Sequence, residues 1–111
     1  MNKHIPAAEW PTELNEFTLR NAGRFTIIEE NDRDWGVQRE EQGIQLRGIA
    51  FDPRDQSVAI MLGALEGTEG HLTHVVRDVA AIDVLQSTHG QDLALCLARA
   101  QGQTILRFCQ T

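Results

Sequence analysis

The sequence predicts an α+β fold: an amino-terminal helix followed by an antiparallel β meander of about six to eight strands, with a partly closed barrel as the alternative arrangement. Two observations predict it. Trp10, Leu14 and Phe17 recur at i, i+4 and i+7, the spacing of a single helical stripe. After Gly23 the period changes to short apolar segments separated by turn residues, which is the pattern of consecutive strands. With 111 residues, 41% hydrophobic and 23% charged, residues 1–111 read as one folded domain.

The helix falls at residues 9–22. Pro11 is tolerated only in a first turn, where its missing N–H costs nothing, and Gly23 suits the left-handed residue that follows a helix. A helix this short is marginal alone, so its apolar stripe is expected to cover one face or one open end of the sheet.

The strand segments are 24–30, 35–40, 44–51, 57–63, 71–77, 80–87, 92–99 and 103–109. Asp52-Pro53-Arg54-Asp55 is a turn with a mechanism, since Asp accepts a local hydrogen bond and Pro pre-sets φ at the next position. It pairs Phe51 with Val58 and Ile49 with Ile60, apolar against apolar. Within 44–51 the apolar parity changes from Ile44 and Leu46 to Ile49 and Phe51, which predicts a β-bulge at Gly48. Ser87-Thr88-His89-Gly90 reads as another hairpin turn, setting Ile82 opposite Leu95 and Val84 opposite Leu93. Gln101-Gly102 reads as a two-residue loop, setting Leu97 opposite Leu106 and Leu95 opposite Phe108. That register makes Cys96 and Cys109 diagonal neighbours on one face. The Gly-rich run Ala64–Gly70 is a longer loop.

Charge and composition exclude several classes. Ten Lys and Arg against sixteen Asp and Glu give a net charge of −6, so the basic footprint of a nucleic-acid surface is missing. The run Val58–Leu65 is far shorter than the ~20 apolar residues of a membrane-spanning helix. No apolar leader precedes Glu9, so a cytoplasmic location is expected, with both cysteines reduced. Part of the acidity is local: Glu29, Glu30, Asp32, Asp34, Glu40 and Glu41 stand against Arg33 and Arg39, and a solvated loop is the expected setting.

Four constellations carry possible chemistry. His71 and His74 have a metal-like spacing, with Cys96 or Asp83 as further ligands, but i and i+3 on a strand point to opposite faces. Ser87, His89 and Asp92 contain the residue types of a triad, yet all three fall in one hairpin, where Ser, His and Gly serve the turn itself. Asp32-x-Asp34-x-Gly36 has part of a calcium-loop spacing, but Gly43 occupies the position that needs a bidentate carboxylate. Arg77-Asp78 is expected to close a turn or form a surface ion pair, or to join His74 in a charged binding patch. No phosphate-binding glycine loop is present, and no cofactor or metal is expected.

Glu9-Trp10-Pro11, Leu46-Arg47-Gly48-Ile49-Ala50-Phe51-Asp52-Pro53-Arg54-Asp55, Val58-Ala59-Ile60-Met61-Leu62-Gly63, His71-Leu72-Thr73-His74-Val75-Val76-Arg77-Asp78 and Gly102-Gln103-Thr104-Ile105-Leu106-Arg107-Phe108 follow one another in order. Together they resemble a family of small uncharacterised bacterial proteins, catalogued as a domain of unknown function, over nearly the whole chain. The sequence departs from that pattern at Val79, where relatives often have Pro, and in the longer loop from Leu65 to Gly70. The resemblance implies a bacterial protein and lends no catalytic residue.

The expected function is therefore a non-catalytic binding or interaction module, with a second copy of itself, as a homodimer, or another protein as partner. The alternative is a ligand-binding or enzymatic small barrel with a pocket near His74 and Arg77. His71, His74, Arg77 and Asp78 are the candidate site residues. A polar concavity holding at least two of them would favour the alternative, and separate exposure to solvent would favour the first reading.

Overall fold

The computed structural model describes residues 1–32, 36–63 and 71–109, and for residues 37–42 the backbone alone. The chain runs through β1 (Asn2–Ile5), a 3-10 turn (Ala7–Glu9), α1 (Trp10–Asn21), β2 (Phe25–Asp32), β3 (Gly36–Asp52), β4 (Ser57–Leu62), β5 (Leu72–Val76), β6 (Ala81–Gln86), β7 (Asp92–Arg99) and β8 (Gly102–Phe108). The expected loop Ala64–Gly70 and, from the acidic stretch, Arg33 and Asp34 lie outside the described residues.

Among the described residues the strands form one antiparallel sheet of eight in the order β1-β6-β7-β8-β2-β3-β4-β5, open at β1 and β5. The α+β class stands, but the strands do not follow one another across the sheet as a simple meander. Two meanders, β6-β7-β8 and β2-β3-β4-β5, are joined where β8 pairs with β2. The amino-terminal strand β1 has no counterpart in the sequence reading, because three of its four residues are exposed and only Ile5 is buried. Segments 35–40 and 44–51 are one strand, β3, interrupted by bulges.

The bulge at Gly48 is present: Leu46 faces Leu62, Gly48 faces Met61, and Arg47 is the extra residue. It swings Ile49 and Phe51 onto the face that Leu46 occupies, opposite Ile60 and Val58. A Cβ on Gly48 would press on the Met61 side chain at 3.3 Å and make an ordinary contact with Thr18 of α1 at 3.8 Å. There Thr18 Oγ1 accepts a hydrogen bond from the Ile49 N–H at 3.0 Å.

Helix α1 carries its buried stripe of Trp10, Leu14, Phe17 and Asn21 onto the inner face of the sheet. Pro11 sits in the first turn as expected, and Gly23 follows the helix at φ +92°. Trp10 meets Phe51 edge-on at 5.3 Å and Phe17 stacks on Phe108 at 5.8 Å. The Trp10 Nε1–H donates to the Ile5 carbonyl at 2.9 Å, so the indole is buried without an orphan donor. These side chains join Ile28, Leu46, Ile60, Leu62, Leu95, Leu97 and Leu106 in one core.

Two hairpin registers differ from expectation by two residues, which preserves every face. Leu95 faces Leu106, and Arg99 faces Gly102 across the turn Ala100-Gln101. The glycine stands beside this turn rather than in it because β2 crowds the first residue of β8. At φ +156° a Cβ on Gly102 would lie 2.2 Å from the Asn31 carbonyl oxygen. In the other hairpin Val84 faces Leu95 and Ile82 faces Leu97, with a register shift before the Gln86–Asp92 pair. That bulge turns Asp92 inward to receive the end of α1. With the registers moved, Cys96 faces Ile105 and Cys109 lies past the end of β8, so the thiols are not diagonal neighbours.

Asp92 anchors the helix. Its carboxylate accepts from Arg20 Nε and Asn21 Nδ2, both at 2.8 Å, and from Gln86 Nε2 at 2.9 Å. Arg24 Nη1 donates to the Asp92 backbone carbonyl at 2.8 Å while its guanidinium covers the Phe108 ring at 3.9 Å. Burial alone would raise the Asp92 pKa, but the hydrogen bonds from Arg20, Gln86 and Asn21, with the Arg20 charge, hold it below the usual carboxylate range.

Two outcomes follow. Gly102→Ala should cost about 2–3 kcal/mol in chemical denaturation, through backbone clash and strain, whereas Gly90→Ala, at φ +82° with open space around it, should cost about 1 kcal/mol. Equal losses would contradict the crowding by β2. Because folding lowers the Asp92 pKa, its stabilisation is complete above the unfolded value of about 4 and is lost as pH falls through the folded value. Asp92→Asn should therefore cost about 2–3 kcal/mol at pH 7, and the gap from wild type should narrow in denaturation curves as pH falls below the unfolded value of about 4.

Candidate functional site

On β2, parity sets Thr26, Ile28 and Glu30 on the inner face, and β2 runs opposite β8 without a break, from Thr26 against Phe108 to Glu30 against Thr104. On β7 the same face carries Leu95, Leu97 and then Arg99. The inner face is thus apolar in its middle and turns polar at the β7–β8 turn. Thr104 and Phe108 are four residues apart on β8, so this polar end lies ~13 Å along the strand from the Phe17–Phe108 stack.

Glu30 is the centre of the polar end. Its Oε1 accepts from the Thr104 hydroxyl at 2.7 Å and from His74 Nε2 at 3.1 Å, and its Oε2 accepts from Arg99 Nη2 at 2.7 Å. These partners come from β8, β5 and β7. Thr104 is fully buried, and the side chains of Glu30, His74 and Arg99 are 19%, 21% and 26% exposed. Such a position makes the Glu30 and Arg99 charges matter: both are largely desolvated, and each is matched by the other. The Arg99 Nε–H is buried with no hydrogen-bond partner among the described residues.

Beside this cluster lies a cavity of about 360 Å³ lined by Glu30, Val76, Arg77, Asp78, Arg99 and Gln101, among others. Arg77 and Asp78 begin the connection from β5 to β6. Asp78 has φ +55°, a left-handed conformation that Asp tolerates better than most side chains. Arg77 is not paired with its neighbour as expected, because it reaches across to Asp55 at 3.2 Å, with 70% and 47% of the two side chains exposed.

The sequence candidates therefore divide. Arg77 and Asp78 line the cavity, and His74 is bound to the glutamate in its wall. His71 is elsewhere: it precedes β5, is exposed, and lies against the Arg47 guanidinium. Sequence reasoning missed Glu30, Arg99 and Thr104. Glu29 and Glu30 belong to β2, as the strand segment 24–30 has them, but the solvated setting expected of the acidic stretch does not hold for Glu30, whose side chain is 19% exposed. The signal was the alternation Thr26-Ile28-Glu30 and Leu95-Leu97-Arg99, which carries both charges onto the core face.

The other constellations resolve as structure. Ser87 Oγ accepts from the N–H groups of His89 and Gln91 at 3.2 and 3.1 Å, closing its turn, while Asp92 is held by the helix. Burial and the nearby Asp83 charge push the Cys96 thiol up, away from thiolate chemistry. Among the described residues no group of three or more His, Cys, Asp and Glu is arranged to hold a metal, and no helix is long and apolar enough to cross a membrane.

Glu30→Ala would leave Arg99, His74 and Thr104 without their shared acceptor. It should lower stability by about 2–3 kcal/mol in urea denaturation; a loss under about 0.5 kcal/mol would mean that the cluster is not a structural unit.

A model for a family of unknown function, DUF5335, matches residues 1–110. No curated protein and no solved structure matches. Since the match runs from β1 through β8, the chain belongs to DUF5335, a family of unknown function.

Proposed function

We propose that this protein is a non-catalytic binding module that takes a small polar molecule in the cavity beside Glu30 and Arg99. The observation that carries the reading is the convergence of charged side chains from β2, β7 and the β5–β6 connection on one cavity. Two of the four sequence candidates, Arg77 and Asp78, line it and a third, His74, touches its wall, which favours a ligand site over separate surface charges. At about 360 Å³ the cavity is at the small end of the ~300–1,000 Å³ typical of ligand pockets.

Recognition fits this arrangement better than catalysis. The His74 Nε2–H and the Thr104 hydroxyl are both committed to Glu30, and Thr104 is fully buried, so the cluster fixes side chains in place and offers no activated nucleophile. Preorganised, mutually supported charges of this kind orient a ligand at little entropic cost.

A thermal-shift screen of the whole protein against a library of small polar metabolites tests the proposal. At least one compound should raise Tm by several degrees when its concentration exceeds Kd about a hundredfold, and Ala100→Trp, which fills the cavity mouth from an exposed turn position, should abolish that shift. If no compound shifts the wild type, or if Ala100→Trp responds equally, the cavity is not a ligand site.

A further inference from the structure

Resting on that reading, we infer that the ligand is a small zwitterion, an amino acid or a molecule with the same paired ammonium and carboxylate, its carboxylate on Arg99 and its ammonium on Asp78. Hydrogen-bonding capacity decides the poles. Of the roughly four lone-pair positions of a carboxylate, Glu30 has three occupied by Thr104, His74 and Arg99. It is nearly spent as an acceptor. Arg99 has five N–H donors; Nη2 donates once to Glu30 and Nε is buried, which leaves its outer N–H groups for the cavity. A guanidinium that keeps parallel donors is matched by a carboxylate, which it can hold through two bonds.

Charge then decides against a simple anion. The charged residues that line the cavity balance, Glu30 and Asp78 against Arg77 and Arg99, and Arg77 is further paired with Asp55 outside the lining. A carboxylate brought in alone tips that balance towards the sign in which the whole chain, at −6, is already in excess. A ligand that carries its own cation adds none. Asp78, exposed beside the cavity, is the acceptor for that cation, while Asp55 is engaged by Arg77. Val75, Val76 and Ala100 complete the lining with apolar surface for a short aliphatic or thioether side chain.

Titration calorimetry on the full chain with each of the common L-amino acids, and with the des-amino and decarboxylated analogues of the best of them, tests this. At least one amino acid should bind with Kd below about 1 mM, and removal of either pole should weaken binding at least tenfold. Asp78→Asn keeps a residue that accepts the left-handed conformation and should weaken the amino acid at least tenfold without changing the des-amino analogue. Arg99→Lys, which keeps a charge for Glu30 but loses the fork, should weaken both. Circular dichroism establishes that each variant is folded. Equal binding of the amino acid and its des-amino analogue overturns the zwitterion and leaves a carboxylate site. Failure of every amino acid, with a different compound found in the metabolite screen, overturns the zwitterion and leaves the binding module. Failure in both removes both.

Discussion

The structure depends on one short crossing. Residues 77–80 carry the chain from β5, an edge of the sheet, to β6, which lies six strand positions away in the hydrogen-bonded order. In a flat sheet that separation is roughly 29 Å, whereas the five Cα steps from Val76 to Ala81 reach at most ~18 Å. The sheet must roll. The connection itself holds the roll: the Val79 N–H donates to the Gln56 carbonyl at the β3–β4 turn and the Ala80 N–H to the Ala98 carbonyl of β7, at 2.9 and 2.8 Å. Val79 is buried at 1% exposure. Ladder hydrogen bonds do not close the sheet, and the connector spans the gap between its halves.

Rolling produces two ends with different chemistry. Helix α1 covers the core, and its last turn is fastened by Asp92. At the β7–β8 turn no helix among the described residues covers the sheet, and Glu30 gathers His74, Arg99 and Thr104 from three strands. Each carboxylate is inward-facing, and each has donors for nearly all of its acceptor positions. The difference is what lies beyond. Asp92 is backed by a helix and its side chain is buried, while Glu30 borders a cavity.

Much of the fold was legible because it is written in periodicity. The helical stripe, the Asp52 turn and the Gly48 bulge all follow from local spacing and local hydrogen bonding. The two hairpin registers were read two residues out, since the identity of a glycine does not say whether a turn or a neighbouring strand requires it. At Gly102 the neighbour is β2, which is seventy residues away in sequence. The strand order was hidden for the same reason, as alternation assigns faces and not partners. In the site, Arg77 and Asp78 were found as a charged pair following the apolar Val75-Val76, with His74 just before it. Glu30 and Arg99 were missed because a charge extending an inward parity looks like the end of a strand until another strand supplies its counter-ion.

The pairing of β1 with β6 joins residues far apart in sequence: the Met1 ammonium donates to the Gln86 carbonyl, 85 positions away. Closing so long a loop costs more chain entropy than any adjacent hairpin, and β1 returns only one buried side chain, Ile5. The β2–β8 pairing spans a similar separation, Thr26 to Phe108, but it is backed by Ile28 and Leu106, both fully buried. The strand β1 thus acts as a cap on the backbone edge of β6, and Ile5 is the one side chain whose burial keeps the cap in place.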